Sequence, residues 1–303
     1  MSPIGVGLLL AVSAAVLALA SLAVSSSPVR ARASGALTCL AGGGALLAGT
    51  SALLGQTWSQ TLPHLLPLSE AVFAVDPLSG LFMSLVGGVA IAAGVYSVGY
   101  PHPHADDAVP DAGGVESRTV QAALPLFATA MVLVPAAGSI TTFLVLWELM
   151  ALASLVLVLA EHRRRPEVGQ AGVWYAAMTH AGLVAILLSL VLFATAAGAE
   201  SFAGMRVAGA AMSPTTRSLV FLLAFAGFGS KAGLVPLHVW LPRAHPEAPS
   251  YVSALMSAAM VNLGLYGVLR VGFDLLGGGP RWWWLLVLVV GALSALYGVL
   301  QAM

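Results

Sequence analysis

Three ionisable side chains stand inside long apolar runs of this sequence. Glu148 lies mid-run in "TTFLVLWELMALASLVLVLA", His180 in "VWYAAMTHAGLVAILL", and Lys231 near the end of "SLVFLLAFAGFGSKAGLVP". Charges within membrane-spanning segments are rare and costly when unpaired, and they usually mark an ion path. Desolvation disfavours the ammonium form of a buried lysine, and a neighbouring carboxylate restores it. A lysine on one helix facing a glutamate on another is therefore a tunable proton site. Moving or screening the carboxylate releases the proton without any redox chemistry in the chain. The alternative is a static Glu148–Lys231 pair that fixes helix packing. His180 reads equally as a relay or as a hydrogen-bonded interhelical histidine.

The sequence around the lysine adds a break. Pro236 follows Lys231 by five residues. Proline inside a spanning helix removes a backbone hydrogen bond and kinks or breaks it. Broken helices at membrane depth occur where they line water or are buried in protein, and they mark transport sites. A packing kink is the competing reading. His238, Arg243, His245 and Glu247 follow in a short Pro-punctuated connection. They either pass protons between the cytoplasm and Lys231 or hold the connection at the interface.

The elements that must position these residues follow from composition. Of 303 residues, 59% are hydrophobic and 8% charged, with zero formal net charge; the mean hydropathy is +0.95. A water-soluble surface needs about a quarter of its residues charged, so the solvent here is mostly lipid. The 33 glycines suit close helix–helix approach. Zero net charge gives no case for nucleic-acid binding. The single cysteine, Cys39, excludes an intramolecular disulfide and reads as a small apolar packing residue. No nucleotide-binding glycine pattern or redox-centre motif is present, so no cofactor is expected.

About nine apolar runs have spanning length: 3–24, 35–54, 78–99, 120–138, 140–160, 170–196, 215–235, 250–271 and 282–302. None alternates with period two, which disfavours a β-barrel. The expected fold is an all-α, polytopic helical bundle whose seventh spanning helix is broken. The first run has no Lys or Arg before it, whereas Arg30 and Arg32 follow it, so it reads as a retained helix rather than a signal peptide. With the N-terminus outside, seven loop arginines fall inside (30, 32, 118, 163, 164, 165, 243) and four outside (206, 217, 270, 281). "EHRRRPE" is the strongest single vote, as a topology anchor or as a docking patch. Loop 55–76 carries Glu70 and Asp76 without Lys or Arg. The "HPHADD" of loop 100–119 fits no fixed metal geometry, so no metal is expected. "WWW" at 282–284 reads as an interfacial aromatic belt.

The runs "LVLWELMALASLVLV", "YAAMTHAGLVAILL", "GSKAGLVPLHVWLPRAHPEAPSYVSALMSAAM" and "GLYGVLR" resemble, in this order, the antiporter-like membrane subunits. These occur in respiratory complex I, Mrp-type Na+/H+ antiporters and membrane-bound hydrogenases. The wording is most similar to the component B type subunit of hydrogenase-4 and formate hydrogenlyase. The resemblance covers nearly the whole chain and is densest from 120 to 270. It implies a proton half-channel centred on Lys231 and modulated by Glu148, with His180 lining the same path. Asn262 stands where many members carry a second lysine and implies relay through hydrogen-bonded water.

The resemblance also implies three parts: helices 1–3 with loops (1–117), an antiporter-like five-helix unit (118–271), and a ninth helix (272–303) opening a second repeat. That repeat would come from another polypeptide, or the chain is a truncated product. Implied partners are other membrane subunits, a peripheral hydrogenase or dehydrogenase arm and the lipid bilayer. The implied location is the cell inner (plasma) membrane. The reading is a proton-translocating subunit that holds no redox centre; the alternatives are an Mrp-type Na+/H+ antiporter subunit or a non-transporting membrane anchor.

Overall fold

The structure, a computed structural model, describes residues 2–24, 26–66, 69–99, 117–160 and 165–302. The "HPHADD" segment and Arg163 and Arg164 lie outside the described residues. The chain runs α1 (Pro3–Ala20), α2 (Ser27–Leu53), β1 (Trp58–Leu62), β2 (Ala71–Val75), α3 (Pro77–Val98), α4 (Arg118–Leu133), α5 (Ile140–Val158), α6 (Pro166–Ala197), α7 (Phe202–Gly209) and α8 (Pro214–Lys231). After a break come α9 (Leu241–Ala244), α10 (Ser250–Leu255), α11 (Val261–Leu269) and α12 (Arg281–Ala302). Single π-turns occupy Met256–Met260 and Arg270–Leu275 and join α10 to α11 and α11 to its end. Among the described residues, eight helices are long and apolar enough to cross a membrane. The remaining run forms α8, of 18 residues, which stops on its lysine.

The helix starts are written in the sequence. Ser2, Asp76, Ser117, Ser139, Ser201 and Ser213 each accept a bond from an amide of the first turn of α1, α3, α4, α5, α7 and α8. Proline sits at the start of α1, α3 and α8, where its missing N–H costs nothing. In lipid such satisfaction is obligatory, because no water reaches orphan amides. α4 is buried nearly all round, between α1, α2 and α5. α6 and α8 approach through glycine: a Cβ on Gly227 would meet Gly182 O at 2.7 Å. Small residues at such crossings let backbones close in and pack.

Loop 55–76 holds a hairpin that the sequence pattern did not signal. β1 and β2 pair antiparallel with Trp58 opposite Val75. Val72 N bonds Thr142 Oγ1 at 2.9 Å, and Gly138 N bonds Val72 O at 2.8 Å. The hairpin is thereby tied to the start of α5. The tryptophan triplet also departs from expectation. Trp283 is fully buried and stacks on Phe221 with centroids 4.3 Å apart, and Trp284 stacks on Phe273. Only Trp282 faces outward among the three. Two of the rings fill the α8–α12 seam instead of forming a belt.

Candidate functional site

The helix carrying the lysine ends by glycine, not by proline. Gly233 takes a left-handed φ of +74°. Its amide bonds Ser230 O, and the Leu234 amide bonds Gly229 O at 2.9 Å. That pair of bonds is the Schellman termination, which needs a residue without Cβ strain at this position. Pro236 lies beyond, in a segment already irregular. Lys231 is consequently the last residue of α8, where the partial negative charge of the helix C-terminus favours a cation. Trp240 Nε1 also donates to Ser230 O at 2.9 Å and anchors the irregular segment to the end of α8.

Lys231 is 4% exposed. Its Nζ donates to Tyr175 Oη at 2.8 Å and lies 4.9 Å from the centre of that ring. The Tyr175 hydroxyl is 2.5 Å from Ser154 Oγ. Ser154 is in turn 2.9 Å from Met150 O, which can only accept. The hydrogens therefore point one way: lysine to tyrosine, tyrosine to serine, serine to the α5 backbone. This line joins α8, α6 and α5. Tyr175 lies nine residues into the 32-residue α6, which places the amine about 14 Å along a helix about 48 Å long.

Glu148 and His180 form a separate pair. His180 Nε2 is 3.1 Å from Glu148 Oε1. His180 Nδ1 is 2.8 Å from Ala176 O, a pure acceptor, so Nδ1 carries a hydrogen. The side chains are 49% and 28% exposed, on the outer flank of α5 and α6. No ion pair joins Lys231 to Glu148: the amine donates to Tyr175, and Glu148 Oε1 faces His180. The two side chains are directed to different partners, the lysine to the α6 tyrosine and the glutamate to His180 on the outer flank. A narrow crevice lined by Trp147, Thr179, Gly182, Gly227, Ser230 and Lys231 lies beside the amine.

The weaker candidates divide. His245 Nδ1 lies 2.9 Å from Ser253 Oγ and 3.2 Å from Ser257 Oγ, and burial pushes its imidazole below the usual range. His238 packs edge-on against Tyr297 of α12 with centroids 5.0 Å apart. Arg243 lies over Trp174 at 4.2 Å, and Glu247 pairs with Arg165 at 2.7 Å. Both contacts tie the break to the start of α6. Asn262 Nδ2 bonds Ala258 O of its own helix at 2.9 Å, and so sits apart from the lysine–tyrosine–serine line.

At the opposite end of α6 a buried charge network escaped sequence reasoning. Arg270, 4% exposed, grips Asp76 with both arms at 2.6 and 2.8 Å. It also bonds Asp274 at 2.7 Å, Ser79 at 2.9 Å and Tyr266 at 3.0 Å. Arg206 clasps Asp274 through two bonds of 2.6 Å. Two arginines and two aspartates balance. The signal that could have found part of it is the i,i+4 spacing of Arg270 and Asp274.

Burial pushes the Asp76 carboxyl up. Hydrogen bonds and charge from Arg270, with the Ser79 amide, outweigh it and hold the group at about 2. A carboxylate depressed in the folded state contributes stability above its unfolded value near 3.9, lost as pH falls through the folded value. Thermal unfolding in detergent is therefore expected to be unaffected by this group above about pH 5. Stability should then fall between about pH 4 and 2, and Asp76→Asn should flatten that limb. An unchanged limb in the variant would contradict the assignment.

A family profile described as NADH:quinone oxidoreductase/Mrp antiporter, TM, matches residues 137–303. An uncharacterized protein of Mycobacterium tuberculosis is 57% identical over 238 residues, 78% of this chain and 35% of its own length. Hydrogenase-4 component B of Escherichia coli is 38% identical over 237 residues, 78% of this chain and 34% of that protein. The chain thus spans about a third of the length of the curated relatives it matches. A chain in the structure of the Mrp complex from Dietzia sp. DQ12-45-1b superposes with a TM-score of 0.82 at 21% identity, covering 99% of this chain and 54% of that one.

Proposed function

The chain belongs to the NADH:quinone oxidoreductase/Mrp antiporter transmembrane family, and from that premise we propose that it is a proton-translocating membrane subunit of a respiratory-type complex. The observation that carries this reading is a buried lysine at a helix break, joined through Tyr175 to Ser154. Lys231 is the proton-carrying group in this reading. Glu148 and His180 hold the next proton on the flank of the bundle, and His245 and His238 lie on the approach from the α6 start. Asn262 is a weaker contributor through water. The surroundings of Lys231 favour H+ over Na+: they offer a hydroxyl and aromatic rings beside the cation, and among the described residues no group of three or more His, Cys, Asp or Glu side chains that could hold a metal ion.

The partners assigned on this reading are further membrane subunits and a peripheral hydrogenase or dehydrogenase arm. The name of the Escherichia coli relative supports the hydrogenase. The assigned location is the cell inner membrane with the N-terminus outside. In support, seven loop arginines fall on the side read as inside and four on the side read as outside.

The test uses inverted membrane vesicles containing the native assembly, given hydrogen, formate and NADH in turn. A pH-sensitive dye should report acidification in Na+-free buffer with at least one donor. A requirement for Na+ would favour the antiporter reading. Acidification that survives deletion of the subunit would favour an anchor.

A further inference from the structure

The proton held by Lys231 needs a way to Glu148 that the Tyr175 line does not supply, because that line ends on the α5 backbone. Two polar atoms of these elements are buried without a hydrogen-bond partner: Thr179 Oγ1 on α6 and Glu148 Oε2 on α5. Thr179 is 7% exposed and lines the same crevice as Lys231. It lies one helical turn after Tyr175 on α6, on the same face, and one residue before His180. Trp147, which also lines the crevice, immediately precedes Glu148. A buried hydroxyl with no partner is costly unless something occupies it part of the time.

We propose that Thr179 positions a water that relays the proton between Lys231 and Glu148. This deepens the reading above and rests on it. The hydroxyl both donates and accepts, so it can orient a water toward either group. In the step, an N–H bond of the Lys231 ammonium breaks and its proton joins the water. That water gives up another of its protons to Glu148 Oε2, forming an O–H bond. The lysine ends as a neutral amine, the carboxylate as a neutral acid, the water is restored, and no electron moves. The crevice is tight in this packing. Met178, unbranched and flexible, also lines it and supplies the movable wall that admits water. Closed, the crevice insulates the two sites; opened, it connects them.

The test uses the vesicle assay with the full assembly. Thr179→Val keeps the shape and deletes the hydroxyl; Thr179→Ser restores it. The valine variant is expected to slow proton movement roughly tenfold, the rate equivalent of one lost hydrogen bond in the path, with donor oxidation retained. The serine variant is expected to stay within about twofold of the parent. A structural role would not give this hydroxyl-dependent rescue. Should valine fail to assemble, Thr179→Cys, close in volume with only a weak S–H donor, is read the same way. Normal pumping in the valine or cysteine variant, alongside loss in Lys231→Ala, would overturn the Thr179 relay and leave the parent reading standing. Normal pumping in Lys231→Ala would overturn both.

Discussion

On the proposed reading, Lys231→Ala is expected to slow proton translocation by roughly a hundredfold or more while the subunit still assembles. The size follows from what is removed: the loss of a group that takes and gives the transported proton costs about 10²–10⁴ in rate. The fold survives because the tyrosine keeps its other partners. The Tyr175 hydroxyl still meets Ser154 at 2.5 Å and Met260 Sδ at 3.6 Å. Tyr175→Phe should fall between the parent and Lys231→Ala. It removes the hydroxyl acceptor but keeps a ring face 4.9 Å from the amine, a contact worth about 0.5–2 kcal/mol. The two substitutions touch one network, so their combined effect should be no larger than that of Lys231→Ala alone. Dye-detected acidification per donor oxidised measures both. Equal pumping in the parent and in both variants would contradict the assignment.

Arg270→Ala is expected to be the most destabilising single change, by about 3–5 kcal/mol, the usual cost of breaking a buried ion pair. The loss is large because the partners stay behind. Asp76 and Asp274 would face each other with one arginine, Arg206, whose nearest Asp76 contact is 3.9 Å. Arg270→Lys should rescue little, because a point charge cannot reproduce the two-armed grip on Asp76. Pairing Arg270→Ala with Asp76→Ala should cost less than the sum of the single changes, with a coupling of about 0.5–3 kcal/mol. Thermal unfolding in detergent, followed by the loss of folded protein on size exclusion, reads these values. A fall under about 1 kcal/mol for Arg270→Ala would show that the network is peripheral.

Much of this architecture was readable because lipid enforces simple rules. A run of about 20 apolar residues must be a helix, and Ser-Pro and Asp-Pro pairs announce where one starts. Lys231 and Glu148 stood out because charge in such runs is rare. Other parts were hidden for physical reasons. Tyr175 and Ser154 are amphipathic or small, so inside an apolar run they read as packing until a lysine is seen to aim at them. Pro236 drew attention as a breaker, yet Gly233 ends the helix first, because two C-terminal carbonyls find amide partners there. Asp76 and Arg270 lie 194 positions apart and sit at run ends, where each looked like an ordinary loop charge. Trp283 matched the composition of an interface belt, and only the face of Phe221 against it reveals a packed seam.

The role of Lys231 is tested most directly by infrared difference spectroscopy on the assembly, with the subunit labelled with 15N-lysine, recorded between resting and turning-over states. Lys231 is the single lysine of this sequence, and Lys231→Arg identifies its band. An isotope-shifted ammonium band that appears and disappears with turnover in the parent, and is missing in Lys231→Arg, is the expected result. An ammonium signal that stays constant through turnover, with pumping intact, would contradict it.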